Sequence, residues 1–183
     1  LDVLCANAGI KGPTAAIEDM PLEGWHQCLG VNLDGATLDG SGVLSITGDS
    51  GMSAGVRLTS ASLTRSTGNV SLNAPTGGAY VWRSDVRAQA GTLAISGTAT
   101  ATHGVYIADT NELTGSAVTV TGETSSTTGD GVHIGDSPAT NSLTGSGNLT
   151  ITGTQTSSTG FHGVQISNQT NIHANQSSLQ TER

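Results

Sequence analysis

The sequence predicts an all-β protein: a right-handed parallel β-helix of about five three-strand turns, preceded by a short strand–loop–helix segment. Three observations lead there. The stretch Ser142–Gly153 reads Ser-Leu-Thr-Gly-Ser-Gly-Asn-Leu-Thr-Ile-Thr-Gly, and Thr37–Gly48 repeats it almost word for word as Thr-Leu-Asp-Gly-Ser-Gly-Val-Leu-Ser-Ile-Thr-Gly. Three series of apolar residues recur along the chain with one shared, drifting period. Aromatic residues make up only 3% and charged residues 11% of the 183 residues, so a core must come from Val, Ile and Leu separated by Gly-rich turns.

The first series is an apolar–polar–apolar triplet: Leu44-Ser45-Ile46, Val70-Ser71-Leu72, Leu93-Ala94-Ile95, Val118-Thr119-Val120 and Leu149-Thr150-Ile151, with starts 26, 23, 25 and 31 residues apart. The second opens on Gly55, Gly78, Gly104, Gly131 and Gly163 and continues as Gly-Val-x-Ile or a relative. The third is a lone apolar residue: Leu38, Leu63, Val86, Leu113, Leu143 and Ile172. Alternation inside each triplet turns two side chains inward and one outward. Stacked turns then place Val56, Val105, Val132 and Val164 in one internal ladder beside Leu58, Ile107, Ile134 and Ile166. A β-propeller would need four strands in a longer repeat. Length drift belongs to the turns, for example at Ser137-Pro138-Ala139-Thr140. Gly48, Gly97, Gly122 and Gly153 are expected at corners, where glycine tolerates backbone angles that Val or Ile resist.

The chain divides into residues 1–35, a repeat region 36–175 and a polar tail 176–183. In the first part, Leu1–Gly9 reads as a buried strand entering a turn, and Gly12-Pro13 punctuates a loop. Asp19 caps a predicted helix with Pro21 and Glu23 in its first turn. Leu22, Trp25, Leu29 and Leu33 give that helix one apolar face, suited to capping the first turn of the solenoid. Cys5 and Cys28 match no metal-binding spacing and are expected to be free thiols.

Ala6-Asn7-Ala8-Gly9 and Val31-Asn32-Leu33-Asp34-Gly35 resemble two signatures of the short-chain dehydrogenase/reductase family. The resemblance implies that Asn7, Ala8 and Gly9 match the turn after the fourth strand, and that Asn32 matches the Asn of the catalytic tetrad. It covers only residues 1–35, without the Gly-rich cofactor turn that hydride transfer requires. Tyr80 and Tyr106 are followed four residues on by Ser84 and Thr110, not by the Lys of the family's Tyr-x-x-x-Lys pair. Asn32 therefore lacks partners, and neither catalysis nor a cofactor is expected.

Leu-Thr-Gly-Ser-Ala-Val-Thr-Val-Thr-Gly at 113–122, its counterpart at 143–153, and Ser-Thr-Gly-Asn-Val-Ser-Leu at 66–72 are similar to the repeats of filamentous-haemagglutinin and autotransporter-type bacterial adhesins. That resemblance implies a non-catalytic stalk or adhesive passenger segment of a secreted or surface-exposed exoprotein. Its expected partners are host-cell or neighbouring-cell surface components, with end-to-end self-association through uncapped solenoid ends. The N-terminal segment implies the alternative, an oxidoreductase fragment in the cytoplasm, inactive as it stands. An artificial chimera joined near Gly35–Ala36 is a third reading.

A net charge of −8 excludes a nucleic-acid footprint, and no apolar run is long enough to span a bilayer as a helix. The residues preceding the glycines of the second series are Ala54, Gly77, His103, Asp130 and His162. They form one vertical file in a β-helix. His103, Asp130 and His162 are thus the candidates for a metal site, although polar residues at an exposed turn account for the file equally well. The outward file Arg57, Tyr106, His133 and Gln165 contains no carboxylate pair, so glycoside cleavage is not expected.

Overall fold

A computed structural model of the chain describes residues 37–40, 42–50, 54–136, 140–158, 161–167 and 170–182. The expected strand, helix and cap of residues 1–35, with Asn7, Ala8, Gly9, Asn32, Cys5 and Cys28, lie outside the described residues, as does most of the insertion at 137–140.

The described residues form a parallel β-helix of thirteen strands and no helix. In chain order these are β1 (Thr37–Gly40), β2 (Leu44–Asp49), β3 (Val56–Thr59), β4 (Ser62–Arg65), β5 (Val70–Thr76), β6 (Ala79–Trp82) and β7 (Asp85–Ala99). They continue as β8 (Val105–Ala108), β9 (Asn111–Thr124), β10 (Val132–Ile134), β11 (Asn141–Gln155), β12 (Val164–Ile166) and β13 (Thr170–Glu182). One sheet runs β1-β4-β7-β9-β11-β13, with β2 and β5 stacked below β7, and a five-stranded sheet runs β12-β10-β8-β6-β3. The five strands of the second sheet correspond to five rungs. Every pairing is parallel, which rules out propeller blades.

The ladders follow the three series. Leu44 pairs with Val70, Val70 with Leu93, Leu93 with Val118, and Val118 with Leu149. In the five-stranded sheet, Val56, Ala79, Val105, Val132 and Val164 are in register, and so are Leu58, Val81, Ile107, Ile134 and Ile166. Val70, Leu93, Val105, Ile107, Leu113, Val132, Ile134 and Leu143 are completely buried. Each such side chain contributes about 1.5–3 kcal/mol of apolar burial. Stacked aliphatic columns thus take the place of aromatic packing.

Two differences from the sequence reading have physical causes. In β7, β9, β11 and β13 the third-series residue and the following first-series position lie on one continuous strand of 13–15 residues, bent at a corner. The Gly145-Ser146-Gly147 corner is a register shift in that strand: between Gly145↔Gly115 and Leu149↔Val118, β11 carries one more residue than β9. The strand therefore continues through the bend, with its ladder broken only locally at the corner. The segment 176–183, expected to be a tail, is instead strand as far as Glu182, paired with β11 from Asn148↔Gln176 to Thr154↔Glu182. It reads as polar because no described rung covers it, so only Leu179 marks the inward pattern.

Gly97, Gly122 and Gly153 also have a different reason for being glycine. None has a positive φ; a Cβ would lie 2.1 Å from Gly104 O, 1.9 Å from Gly131 O and 1.8 Å from Gly163 O, respectively. Gly48 meets Gly55 O in the same way, at 2.0 Å. These glycines let the end of one strand pass close to the start of the next. Left-handed backbone occurs instead at Ser60, Arg83 and Asp109, three equivalent corners after the strands of the second sheet. At the last rung Ile172 is 39% and Leu179 60% exposed, leaving an apolar edge lined also by Leu149, Ile151 and Ile166.

Candidate functional site

The outward face of the five-stranded sheet differs chemically from the outward positions of the large sheet. Along the large sheet, Ser71, Thr119, Thr150, Thr121 and Thr152 turn small hydroxyls to solvent. On β6, β8 and β10, period-two alternation buries Ala79, Val81, Val105, Ile107, Val132 and Ile134 and leaves Tyr80, Trp82, Tyr106 and His133 outward. Parallel register then stacks Arg57, Tyr80, Tyr106, His133 and Gln165 in one file.

Tyr106 is the centre of this face. Its ring is 5.4 Å from Tyr80, 6.4 Å from Trp82 in an edge contact, 5.3 Å from His133, and stacked on His103 at 5.0 Å. These spacings fall in the range of favourable ring pairs. Its hydroxyl donates to the Asp136 carboxylate. Burial, reinforced by that carboxylate, holds the Tyr106 phenol well above its ordinary pKa. On the neighbouring corner, Trp82 Nε1–H donates to Asp109 Oδ2 at 2.9 Å, and Arg83 Nε donates to the same oxygen. These two donors, Trp82 first, hold the Asp109 carboxyl below its usual range.

Beside Tyr106 lies a cluster around Asp130, whose side chain is only 1% exposed. Its Oδ1 accepts the His162 backbone N–H at 2.8 Å and lies 3.3 Å from His162 Nδ1. Its Oδ2 is 2.8 Å from His133 Nδ1 and 3.6 Å from His103 Nδ1. The Asp130 backbone N–H donates to His103 Nδ1 at 2.9 Å, so that nitrogen carries a lone pair, not a proton, and the 3.6 Å contact is not an ion pair. Burial, with His133 nearby, lowers the His103 pKa and keeps its imidazole neutral. The other nitrogen of His133 faces Gly135 O at 3.0 Å and Asp136 Oδ1 at 3.6 Å.

The structure thus brings His103, Asp130 and His162 together through the shared file, with Asp130 touching both histidines. Sequence reasoning missed His133, which enters from the outward file one column away. The readable signal was Asp130-Gly131-Val132-His133: three residues across a tight Gly corner return a side chain toward the file it left. The carboxylates absent from the outward file likewise arrive from turns, as Asp109, Asp130 and Asp136. No helix among the described residues is long and apolar enough to cross a membrane. No protein-family model matches the chain, and no curated protein or solved structure is significantly similar to it.

Proposed function

We propose that this chain is a non-catalytic β-helical segment of a secreted or surface-exposed protein, serving as a stalk with one adhesive face. The β-helical fold is consistent with a structural or adhesive repeat region. The observation that carries the adhesive reading is the gathering of Tyr80 and Trp82 around Tyr106, all partly exposed, on the outward face of the five-stranded sheet, while the large sheet turns Ser and Thr outward. Rigid, half-exposed aromatic rings supply contact area with little rotamer entropy to lose, while Arg57, Arg83, Asp109 and Asp136 add charged partners at the rim. The partner class is a component of host-cell or neighbouring-cell surfaces.

Flow cytometry of the fluorescently labelled chain on epithelial and bacterial cells tests this. Saturable binding is expected, weakened at least tenfold by Trp82→Ala with Tyr80→Ala and unchanged by Thr119→Ala on the opposite sheet. Absence of saturable binding to either cell type, or equal loss in all variants, overturns the reading.

A further inference from the structure

Asp130 collects imidazoles from three successive rungs: His103 from the rung before, His133 from its own and His162 from the rung after. We propose that His103, Asp130 and His133 form a binding site for one divalent first-row transition-metal ion, zinc being the probe that suits it best.

The donor set is two imidazoles and a carboxylate, the mixture that zinc accepts in four-coordinate sites. The ligating atoms of these three residues all lie within 4.8 Å of one another. Metal–ligand bonds of about 2.0–2.1 Å in a tetrahedron place neighbouring ligand atoms roughly 3.3 Å apart. The separations from Asp130 Oδ2, 2.8 Å to His133 Nδ1 and 3.6 Å to His103 Nδ1, bracket that edge, and the two imidazoles lie within 4.8 Å of each other, so side-chain shifts of up to about an ångström assemble the site.

The electrostatics favour a cation. His103 Nδ1 and Asp130 Oδ2 both present lone pairs to the same space, with no proton of their own to share, and a metal ion turns that repulsion into two bonds. The ion takes the place of the proton between His133 Nδ1 and Asp130 Oδ2. His103 exchanges its hydrogen bond from the Asp130 N–H for a metal bond by a small ring rotation.

The surroundings are those of a rigid site. Gly104 N–H donates to Asp130 O at 3.1 Å and Gly131 N–H to His162 O at 3.0 Å, fixing the three rungs relative to one another. His133 Nε2 faces the Gly135 carbonyl at 3.0 Å, the second contact that orients a ligating imidazole. His162, 57% exposed with its Nδ1 3.3 Å from Asp130 Oδ1, marks the solvent side, where it or a water completes the coordination.

Isothermal titration of the chelator-treated full chain with zinc chloride tests the proposal, in a Cys5→Ser, Cys28→Ser background so that thiols do not compete. One ion per chain with micromolar or tighter affinity is expected. Melting temperature should rise by about 5 °C or more at a hundredfold excess over Kd. His133→Asn and His103→Asn should each weaken binding at least tenfold, whereas His173→Asn on the last rung should not. Circular dichroism of the metal-free variants establishes that they fold, and cobalt spectra of the parent chain report imidazole coordination independently of stability. A parent chain giving neither zinc heat nor thermal shift overturns the proposal. So does binding that survives in the His103→Asn, His133→Asn double variant.

Discussion

Asn111 donates from Nδ2 to Asn141 Oδ1 at 2.7 Å, joining two successive rungs inside the solenoid. The same Asn111 accepts the Ser84 backbone N–H at 2.9 Å and donates to Ala108 O at 2.7 Å, while Ser84 Oγ accepts the Ala61 N–H at 3.2 Å. A polar spine thus runs up one corner through Ser84, Asn111 and Asn141, each exposed by 2% or less. It satisfies backbone groups that the turn removes from the sheet ladders. Asn111→Leu keeps the volume but leaves the Ser84 N–H, the Ala108 carbonyl and Asn141 Oδ1 without their partner. At about 1–3 kcal/mol for each buried orphan, a loss of about 3 kcal/mol or more is expected in urea unfolding. A loss below about 1 kcal/mol would show that water satisfies this corner instead.

Gly122 tests the close approach of adjoining strands. An alanine there sets its Cβ 1.9 Å from Gly131 O, and the obstacle is backbone that cannot swing aside. Gly122→Ala should destabilise by about 3 kcal/mol or more, the upper range for overpacking. Thr119→Ala, on the outward side of the same strand, should stay within about 0.5 kcal/mol. If Gly122→Ala melts at the parent temperature, the tight corner is not a requirement.

The aliphatic ladders predict position-dependent costs for one deletion. Ile107 is completely buried between rungs, whereas Ile166 on the last strand of its sheet is only half-buried. Ile107→Ala should lose about 2–5 kcal/mol, and Ile166→Ala well under half as much, because the end can relax and admit water. Equal losses, read from denaturant midpoints at constant m-value, would contradict the stacking of independent rungs.

Asp109 gives the pH dependence of the aromatic face. Hydrogen bonds from Trp82 and Arg83 lower its folded pKa, so the unfolded chain protonates first as pH falls. Its stabilisation is therefore intact above about pH 4, the ordinary aspartate value, and is lost as pH drops through the lower folded value. Trp82 fluorescence should change over that acidic window in the parent and remain flat in Asp109→Asn. The same acid transition in both would assign it to other carboxylates.

Periodicity made the ladders legible. Val105, Val132 and Val164 recur in step with Ile107, Ile134 and Ile166 because a parallel stack demands the same kind of side chain at the same depth in each rung, whatever the length of the turns between. Asn111 and Asn141 follow that rule too, but they stayed hidden because a polar residue at a turn carries no visible sign of pointing inward. Gly97, Gly122 and Gly153 were found as corners, but their cause, backbone passing backbone, is a distance between segments with no local signature. His133 escaped for a related reason. A search along single columns finds His103, Asp130 and His162, whereas the cluster joins two columns across a corner. The strand beyond residue 176 was obscured by its side chains, since Gln176, Ser177, Ser178 and Gln180 leave Leu179 alone to mark the alternation.

Because the stack is parallel throughout, its rungs follow one another along a single axis, and a pull along that axis loads the backbone bonds between neighbouring rungs. The segment would then lengthen by peeling turn after turn. Each released rung, from the 23 residues between Val56 and Ala79 to the 32 between Val132 and Val164, frees about 80–110 Å of extended chain. A metal ion held between the rungs of His103 and His133 would act as a clip in that sequence, delaying one step while the others yield.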